Sequence, residues 1–308
     1  MLLIALFRGV KWNRDERFLA AAVSGIVRVF APDTVREEVE EKLQPESSWC
    51  HKRRIDAVAP YRERWESRYL SVVRFVTIRA QDVVDPRVAM VAKRDPSDGA
   101  FAALVSLLAP CVAMAEDADI TDHALATREW EPLAALAGSS AENAAPIISA
   151  MFGGRLTVNI SAGTIAAIAK SKWWPLVLVA LAGGVYLLHR REPITRERLA
   201  GWFDAGLRFV APILEVLEEA RAAGEQANQE LRAAAVVPME PNPPLHRLAR
   251  LVAVTPRSST GSELTALLQR EGVRVRRDRV LQVLRQRTFF ESASKYRWQL
   301  GHRVGARG

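Results

Sequence analysis

The sequence predicts a protein of mixed α/β class: a parallel sheet flanked by helices, a helical middle, and a C-terminal module of three helices and a hairpin. Three observations support this prediction. Short apolar or β-branched runs alternate with amphipathic helical patterns as far as residue 135. An Ala-rich, largely apolar composition fills residues 136–237. A Pro-rich stretch then precedes residues 245–301, where helical periodicity returns and ends in two β-prone arms.

Strands are predicted where β-branched and apolar residues run together. Tyr69–Ile78 is the clearest strand and is expected at the centre of the sheet, while Ile26–Phe30 and Cys111–Ala115 are shorter candidates. The first residues, Met1–Phe7, are apolar enough for either a buried strand or the start of a helix. A helix is predicted to open at Asp33, because apolar residues recur after it at a spacing of four.

Acidic residues stand on both sides of an apolar unit in residues 94–120. Asp98 precedes a predicted helix, and Asp117 and Asp119 follow a predicted buried strand. Because ligands of open α/β sheets bind beyond the carboxyl ends of the strands, these three carboxylates are expected to lie close together. Carboxylates without basic partners repel one another, and a hard divalent cation such as Mg²⁺ or Mn²⁺ relieves that repulsion. The pattern therefore predicts a metal-dependent phosphodiesterase.

The same acids also have an ordinary structural interpretation. Asp95 could cap the following helix, with Pro96 at its first position and Asp98 at its third, where acids favour the helix dipole. Asp117 and Asp119 could be turn residues that follow a strand. The local pattern alone favours caps and turns, so a further observation is needed to prefer a metal site.

The order of the motifs along residues 1–130 resembles that of the PIN-domain family. Three segments match: a Val-rich helix containing Glu38, D-x-x-D leading into an apolar helix at Asp98, and a strand ending in the acidic turn of Asp117 and Asp119. The resemblance implies a compact α/β fold with a parallel sheet, a cluster of acids that binds Mg²⁺ or Mn²⁺, and cleavage of single-stranded RNA, as in the toxins of bacterial toxin–antitoxin pairs. It assigns Glu38, Asp98 and Asp117 as catalytic metal ligands and Asp119 as an auxiliary ligand.

The choice of Glu38 depends on that resemblance. Glu38 and Glu40 lie on opposite edges of the buried stripe of their helix, so periodicity does not choose between them. A surface ion pair with Lys42, four residues later, would also account for Glu38.

Two departures from the family pattern bear on catalysis. Family members usually open with a strand that ends in Asp, whereas this sequence begins with residues that resemble the part just after that Asp. Either the true start lies upstream or one metal ligand has been lost. In addition, Ala115 stands where the family often has Ser or Thr, which removes one hydroxyl from the acid cluster.

Composition and charge bound the remaining possibilities. The chain of 308 residues is 49% hydrophobic and 25% charged, which is ordinary for a folded protein of two domains. Cys50 and Cys111 have no metal-type spacing and no secretory leader is evident, so a reducing compartment is expected. The net charge of +8 is uneven, because residues 245–308 carry +10 and the rest −2. The C-terminal end is therefore expected to bind polyanions.

Cations and aromatic rings are interleaved in residues 49–69, where Trp49, Tyr61, Trp65 and Tyr69 stand among several arginines. This arrangement suits a phosphate-binding track on which bases stack. It suits equally well a solvated helix face whose aromatic rings are turned inward. The sequence leaves both interpretations open.

The middle region contains a candidate transmembrane helix at residues 173–189, which carry no charged residue and have Trp and Tyr near the ends and Lys or Arg on both flanks. At 17 residues the stretch is short for a span, so a buried core helix explains it as well. A weaker apolar run at Ile147–Ile168, interrupted by Arg155, would complete a hairpin whose cytoplasmic ends are anchored at the inner face of the membrane. Residues 194–235 are expected to form a helix pair for packing or homodimerisation.

Residues 245–301 resemble the winged-helix family, because three predicted helices are followed by a hairpin wing around residues 292–294. In such domains the third helix enters the major groove and the wing touches the backbone. The candidate contacts to DNA or RNA are Arg276, Arg277, Arg279, Arg285 and Arg287 in the third helix, and Lys295 and Arg297 in the wing. The other interpretation is a winged helix that binds protein and whose arginines are merely solvated.

These features favour a Mg²⁺- or Mn²⁺-dependent endoribonuclease that cleaves single-stranded RNA by two-metal phosphodiester hydrolysis, with the C-terminal module holding it on nucleic acid. The expected organisation is a PIN-like domain at 1–135, a helical region at 136–237 and a winged-helix-like domain at 245–301. The alternative is a catalytically degenerate PIN-like protein that binds nucleic acid or regulates from the membrane. The missing first Asp favours this alternative.

Overall fold

A computed structural model of the protein describes residues 2–12, 17–23, 25, 27–127, 130–139, 218–219, 221–255 and 257–304. The protein is mixed α/β and mostly helical, with a small parallel sheet. Its contacts divide the chain into two compact units: Met1–Ser139 together with Ala227–Gly308, and Ser140–Gln226.

The candidate span at residues 173–189 lies outside the described residues, as does its weaker partner at 147–168. Among the helices that are described, none is both long and apolar enough to cross a membrane. Of the helix pair expected at residues 194–235, the described part is helical over residues 221–233.

Helices make up most of the first 139 residues. They are α1 (Leu2–Lys11), α2 (Arg17–Val23), α3 (Asp33–Lys42), α4 (Ser48–Arg53), α5 (Ala59–Arg64), α6 (Pro86–Arg94), α7 (Gly99–Leu108) and α8 (Ala118–Thr121). A π-helical turn (Trp65–Tyr69) continues α5, a 3₁₀ turn (Ala80–Asp82) precedes α6, and residues 130–139 are also helical. Of the two alternatives for the first residues, the helix is therefore the one that forms.

The parallel sheet consists of β1 (Phe30–Pro32) and β2 (Arg74–Val76), with Phe30 paired to Arg74. As predicted, Asp33 follows β1 directly and begins α3. At the carboxyl end of β2, the hydroxyl of Thr77 donates a hydrogen bond to the Asp33 carboxylate. The ends of both strands are thus tied together on the side of the sheet where α/β proteins place their ligands.

Three strand predictions require correction. The strand predicted at residues 69–78 shortens to β2, because the preceding π-helical turn continues to residue 69 and buries its aromatic rings. The run predicted at 26–30 contributes only its last residue to β1. Residues 111–115 form one isolated bridge, from Met114 to Thr127, instead of a strand. Short apolar runs are compatible with buried loops and turns as well as with strands, and in these three segments tertiary packing determines which of them forms.

The C-terminal segment has the order helix, strand, helix, helix, strand, strand. Its elements are α9 (Pro244–Val254), β3 (Ser259–Thr260), α10 (Gly261–Arg270), α11 (Arg277–Gln286), β4 (Phe290–Ser294) and β5 (Arg297–Leu300). The three strands form an antiparallel sheet in the order β3-β5-β4. The hairpin turn lies at Lys295 and Tyr296, slightly beyond the predicted residues 292–294, and Tyr296 adopts a left-handed conformation with φ 69°.

Local sequence explains where α10 starts and ends. The Thr260 hydroxyl accepts from the Glu263 N–H at 3.2 Å, and the Glu263 carboxylate accepts from the Thr260 N–H at 2.7 Å. This reciprocal pair satisfies two amide groups at the start of the helix. Gly272, which has φ +80°, follows the last turn, as the sequence predicts for a helix terminator.

The C-terminal segment and the first 139 residues share one hydrophobic core, although the sequence predicts separate modules. A single cluster of buried apolar side chains runs from Val76 in β2 to Leu300 in β5. Outside this cluster, His302 continues beyond β5 to the free edge of β2. The N–H of Phe75 donates to the His302 carbonyl and the N–H of His302 to the Phe75 carbonyl, both at 2.8 Å. β2 is therefore paired on both edges.

Polar contacts cross the same boundary. Asp85, 4% exposed, caps α6, accepts from the Ser106 hydroxyl at 2.6 Å and forms an ion pair with Arg87 at 2.9 Å. Arg87 also donates to the Val237 carbonyl at 3.2 Å. Burial alone would raise the pKa of the Asp85 carboxyl, but the hydrogen bonds from Arg87 and Ser106 lower it on balance. The carboxylate thus stays charged and connects α6, α7 and the residues that lead into α9.

Gly301 is required where His302 meets β2. It has φ +61°, and a Cβ at this position would lie 2.3 Å from the Phe75 carbonyl oxygen. Gly301→Ala is expected to lower the free energy of unfolding by about 3–4 kcal/mol, because left-handed strain and a backbone clash add together. Urea denaturation of the full chain measures this change.

Gly272→Ala is the matched control, because Gly272 has φ +80° and no atom within 4 Å of the added Cβ. The free energy of unfolding of this variant is expected to fall by only about 1–2 kcal/mol, which is the cost of left-handed strain without a clash. Equal losses in the two variants would show that the close approach of Gly301 to β2 contributes nothing to stability.

Candidate acidic site and arginine surface

Asp98 lies immediately before α7, where it occupies the N-cap position without making a capping hydrogen bond. Gly99, the first residue of the helix, is closely packed, because a Cβ there would lie 3.0 Å from the Cβ of Ala92 and 3.2 Å from that of Ala80. This close packing holds the start of α7 against α6 and the 3₁₀ turn. The half-buried Asp98 carboxylate accepts no hydrogen bond from the described residues.

The pKa of Asp98 is raised from its ordinary value of 3.8 to about 6. Burial is the largest cause, followed by the negative charges of Asp117, Asp95, Asp119 and Glu38 in that order. The structure therefore brings Glu38, Asp117 and Asp119, the three other acids selected by sequence, within electrostatic range of Asp98. Together with Asp98, these acids come from three separate segments of the chain.

The other three predicted ligands each have a structural partner. Glu38 forms an ion pair with Lys42, as the surface interpretation expects. Asp117 caps the short helix α8 by accepting from the Asp119 N–H at 2.8 Å. Asp119 forms an ion pair with Arg94 at 2.8 Å, although Arg94 remains largely exposed. Asp98 is thus the one member of the set whose carboxylate the described contacts leave unsatisfied.

A metal-binding arrangement is not complete in this conformation. Among the described residues, no three His, Cys, Asp or Glu side chains are grouped closely enough to hold a metal ion. The donor set is nevertheless of the type that Mg²⁺ and Mn²⁺ prefer, because it consists of carboxylate oxygens alone. Coordination of a metal would require Asp119 to leave Arg94 and Glu38 to leave Lys42. Arg94 and Glu38 are exposed, so solvent screening weakens both ion pairs.

Asp95 belongs to the acidic set although the sequence assigned it to helix capping. It follows α6 instead of capping α7, and its carboxylate accepts from the N–H and hydroxyl of Ser97 at 2.8 and 2.6 Å. These bonds lower the pKa of Asp95, so that it stays ionised beside Asp98. The signal was present in the sequence, because Asp95 and Asp98 are separated by only two residues.

The candidate nucleic-acid contacts of the C-terminal segment divide into two groups. Arg276, Arg277, Arg279 and Arg285 are exposed at α11, and Lys295 is exposed at the tip of the β4–β5 hairpin. We call these five residues the arginine surface. Val280 and Leu284 turn the opposite face of α11 into the core.

Arg287 and Arg297 are engaged elsewhere. Arg287 forms a 3.6 Å ion pair with Asp82 in the 3₁₀ turn, and Arg297 donates to the Ser258 carbonyl at 2.7 Å. The Asp82 contact also shows that the end of α11 lies next to the turn that packs on Gly99, because Ala80 lies in that turn. The arginine surface is therefore attached to the same group of elements that positions Asp98.

The aromatic residues between residues 49 and 69 turn inward, which agrees with the second of the two interpretations. Tyr61, Trp65 and Tyr69 are buried, at 7%, 2% and 0% exposure. The ring of Trp49 meets that of Phe7 edge-on, at a centroid distance of 5.8 Å. These rings form core contacts and are not available as a stacking platform for bases.

No protein-family model, curated protein or solved structure matches this chain. The acids and arginines themselves are therefore the features that bear on function.

Asp98→Asn is expected to stabilise the protein near neutral pH. Because Asp98 keeps its proton to a higher pH in the folded protein than in the unfolded chain, its contribution lowers stability as the pH rises from about 4 to about 6. After allowance for solvent screening, the gain at pH 7.5 is about 1 kcal/mol and should vanish below pH 4. Urea denaturation across this pH range measures it.

Asp122→Asn is a suitable control, because Asp122 does not contribute to the pKa of Asp98. A loss of stability in Asp98→Asn at pH 7.5, or a gain of the same size at every pH, would contradict a strained carboxylate at this position.

Proposed function

We propose that the protein is a Mg²⁺- or Mn²⁺-dependent endoribonuclease with a PIN-like N-terminal part that acts on single-stranded RNA. One observation carries the proposal. Burial and the negative charges of Asp117, Asp95, Asp119 and Glu38 together raise the pKa of Asp98 to about 6, so the acids selected by their order in the sequence interact electrostatically in the folded chain. Acids gathered at the expense of stability are typical of a functional site.

The proposed roles follow from the environment of each acid. Glu38, Asp98 and Asp117 would hold the metal, and Asp119 would be an auxiliary ligand once released from Arg94. The bound ion would polarise the scissile phosphate and activate a water molecule for in-line attack. Asp98 would be central, because its carboxylate lacks hydrogen bonds from the described residues and gains most from a nearby cation.

The C-terminal segment is proposed to be a winged helix that binds nucleic acid. Support comes from the order α9-β3-α10-α11-β4-β5, the sheet order β3-β5-β4, and the exposed arginines on the third helix. The arginine surface would bind phosphates and hold RNA or DNA beside the acidic site. The Arg287–Asp82 ion pair is consistent with this arrangement, because it attaches α11 to the turn beside α7.

A second candidate function is supported by the incomplete metal site. Because no three potential ligands are grouped among the described residues, the N-terminal part could instead be a catalytically degenerate scaffold for a nucleic-acid-binding protein. The two functions differ in one property that can be measured directly. Only the nuclease requires a divalent ion bound by Asp98.

Substitution of the acids tests the nuclease. With Mn²⁺ and a fluorescent single-stranded RNA, Glu38→Gln, Asp98→Asn and Asp117→Asn are each expected to slow cleavage by at least about 100-fold, because each removes a metal ligand. Asp119→Asn is expected to slow it by about 10-fold. Glu40→Gln is the matched control, because it lies on the same helix, is exposed, and is expected to leave the rate unchanged.

Calorimetry with Mn²⁺ separates the two candidates. Binding by the full chain that is lost in Asp98→Asn supports the nuclease. The absence of both Mn²⁺ binding and cleavage, in a chain that still binds RNA, would favour the degenerate scaffold and overturn the proposed catalysis.

Substitution of Arg277 tests the nucleic-acid surface. Arg277→Ala is expected to weaken binding to a nucleic acid and to reduce the slope of log affinity against log salt by about 1, since one phosphate contact is lost. Fluorescence anisotropy at several salt concentrations measures both quantities. Arg270→Ala, which removes an exposed arginine from α10, is the control, and an equal effect of the two changes would argue against a defined surface on α11.

A further inference from the structure

Three arginines come together at the amino end of the parallel sheet. In the β1–β2 ladder Phe30 pairs with Arg74, the first residue of β2, and Arg28 stands two residues before Phe30. Arg28 itself precedes the strand, which begins at Phe30, and its charge lies close enough to Arg74 to lower the pKa of that guanidinium. The Arg74 N–H donates to the Val29 carbonyl at 3.0 Å, which fixes this register.

Arg303 completes the group from the other edge of β2. Phe75 and His302 exchange both backbone hydrogen bonds, so the next antiparallel position places Arg303 opposite Arg74. Such non-hydrogen-bonded pairs bring side chains closest together, at a Cα separation of about 4.5 Å. Three neighbouring chain segments thus each contribute one arginine to this group.

The group has no carboxylate partner among the described residues. Arg28 donates to the carbonyls of Ala253 and Thr255 at the end of α9. The guanidinium of the half-buried Arg74 forms no hydrogen bond or ion pair with described residues. Burial, followed by the charges of Arg303 and Arg28, lowers the pKa of Arg74 to about 10, and no acid opposes this shift.

We propose that Arg28, Arg74 and Arg303 form a binding site for a phosphate group. Guanidinium groups bind phosphate through paired N–H donors, and several converging on one face are the usual means of holding a phosphate dianion. The ligand would replace the missing counter-charge for Arg74. This site goes beyond the proposed nuclease, since it lies at the amino end of β1 and β2, whereas Asp33 and Thr77 mark their carboxyl end.

Thermal unfolding of the full chain in phosphate tests the site, with chloride at equal ionic strength as the reference. For a Kd of about 1 mM, 10 mM phosphate is expected to raise the Tm by roughly 3–5 °C. Arg303→Glu supplies an internal carboxylate opposite Arg74. This variant is expected to be more stable than the native chain in chloride and to show no rise with phosphate.

Arg270→Glu is the matched control, because it makes the same charge change at an exposed position of α10. It is expected to keep the full response to phosphate. The proposed site is wrong if phosphate does not raise the Tm of the native chain above its value in chloride. It is also wrong if phosphate raises the Tm of Arg303→Glu as much as that of Arg270→Glu.

Two sources of phosphate are distinguished by competition. Displacement of ³²P-labelled phosphate by a 5′-phosphorylated single-stranded oligonucleotide, at concentrations where the 5′-hydroxyl form has no effect, assigns the site to a nucleic-acid end. Displacement by inorganic phosphate and mononucleotides alone assigns it to a small phosphate ligand. Both assignments require that phosphate binding is lost in Arg303→Glu. If neither competition experiment shows binding that depends on Arg303, the proposal is wrong.

Discussion

Hydrogen bonding on both edges of β2 is the constraint on which the rest of the described structure depends. The short strand pairs with β1 on one side, while Phe75 exchanges two 2.8 Å hydrogen bonds with His302 on the other. A two-stranded sheet of three-residue strands would be marginal by itself. The C-terminal segment supplies the third partner, and the shared core from Val76 to Leu300 then fixes α9 and α11 against the N-terminal helices.

The acidic site and the arginine surface are consequences of that arrangement. Because Arg287 is bound to Asp82, and the turn of Asp82 packs beside Gly99, the basic helix and Asp98 belong to one set of contacts. The two groups of side chains carry opposite charges and therefore favour ligands of opposite charge. Asp98 is surrounded by acids that favour a cation, while α11 presents arginines that favour a polyanion. A nucleic-acid phosphate with a bound metal ion would supply the cation for the acids and the anion for the arginines, which is the physical reason for the nuclease proposal.

Most helices and strands were predictable from the local sequence, and the predictions that were wrong have a common physical origin. Helix starts carry their signals nearby, as with Asp33 after β1 and the reciprocal Thr260–Glu263 cap. Strand lengths do not, because a run such as residues 69–78 is apolar whether it lies in a sheet or in a buried turn. Likewise, the proline-rich stretch before α9 was predicted to separate two modules, yet Val236 at its start donates to the Cys111 carbonyl at 2.9 Å.

The sequence by itself determined where α3 and α10 begin, the uneven charge, and the identity of the candidate acids and arginines, because these properties depend on residues near one another in the chain. Only the tertiary structure decided which of them remain unsatisfied. Lys42 and Arg94 neutralise Glu38 and Asp119, and Asp82 engages Arg287, whereas Asp98 and Arg74 are left with like charges around them. Burial and like-charge proximity arise between distant segments, so no local pattern could have revealed them.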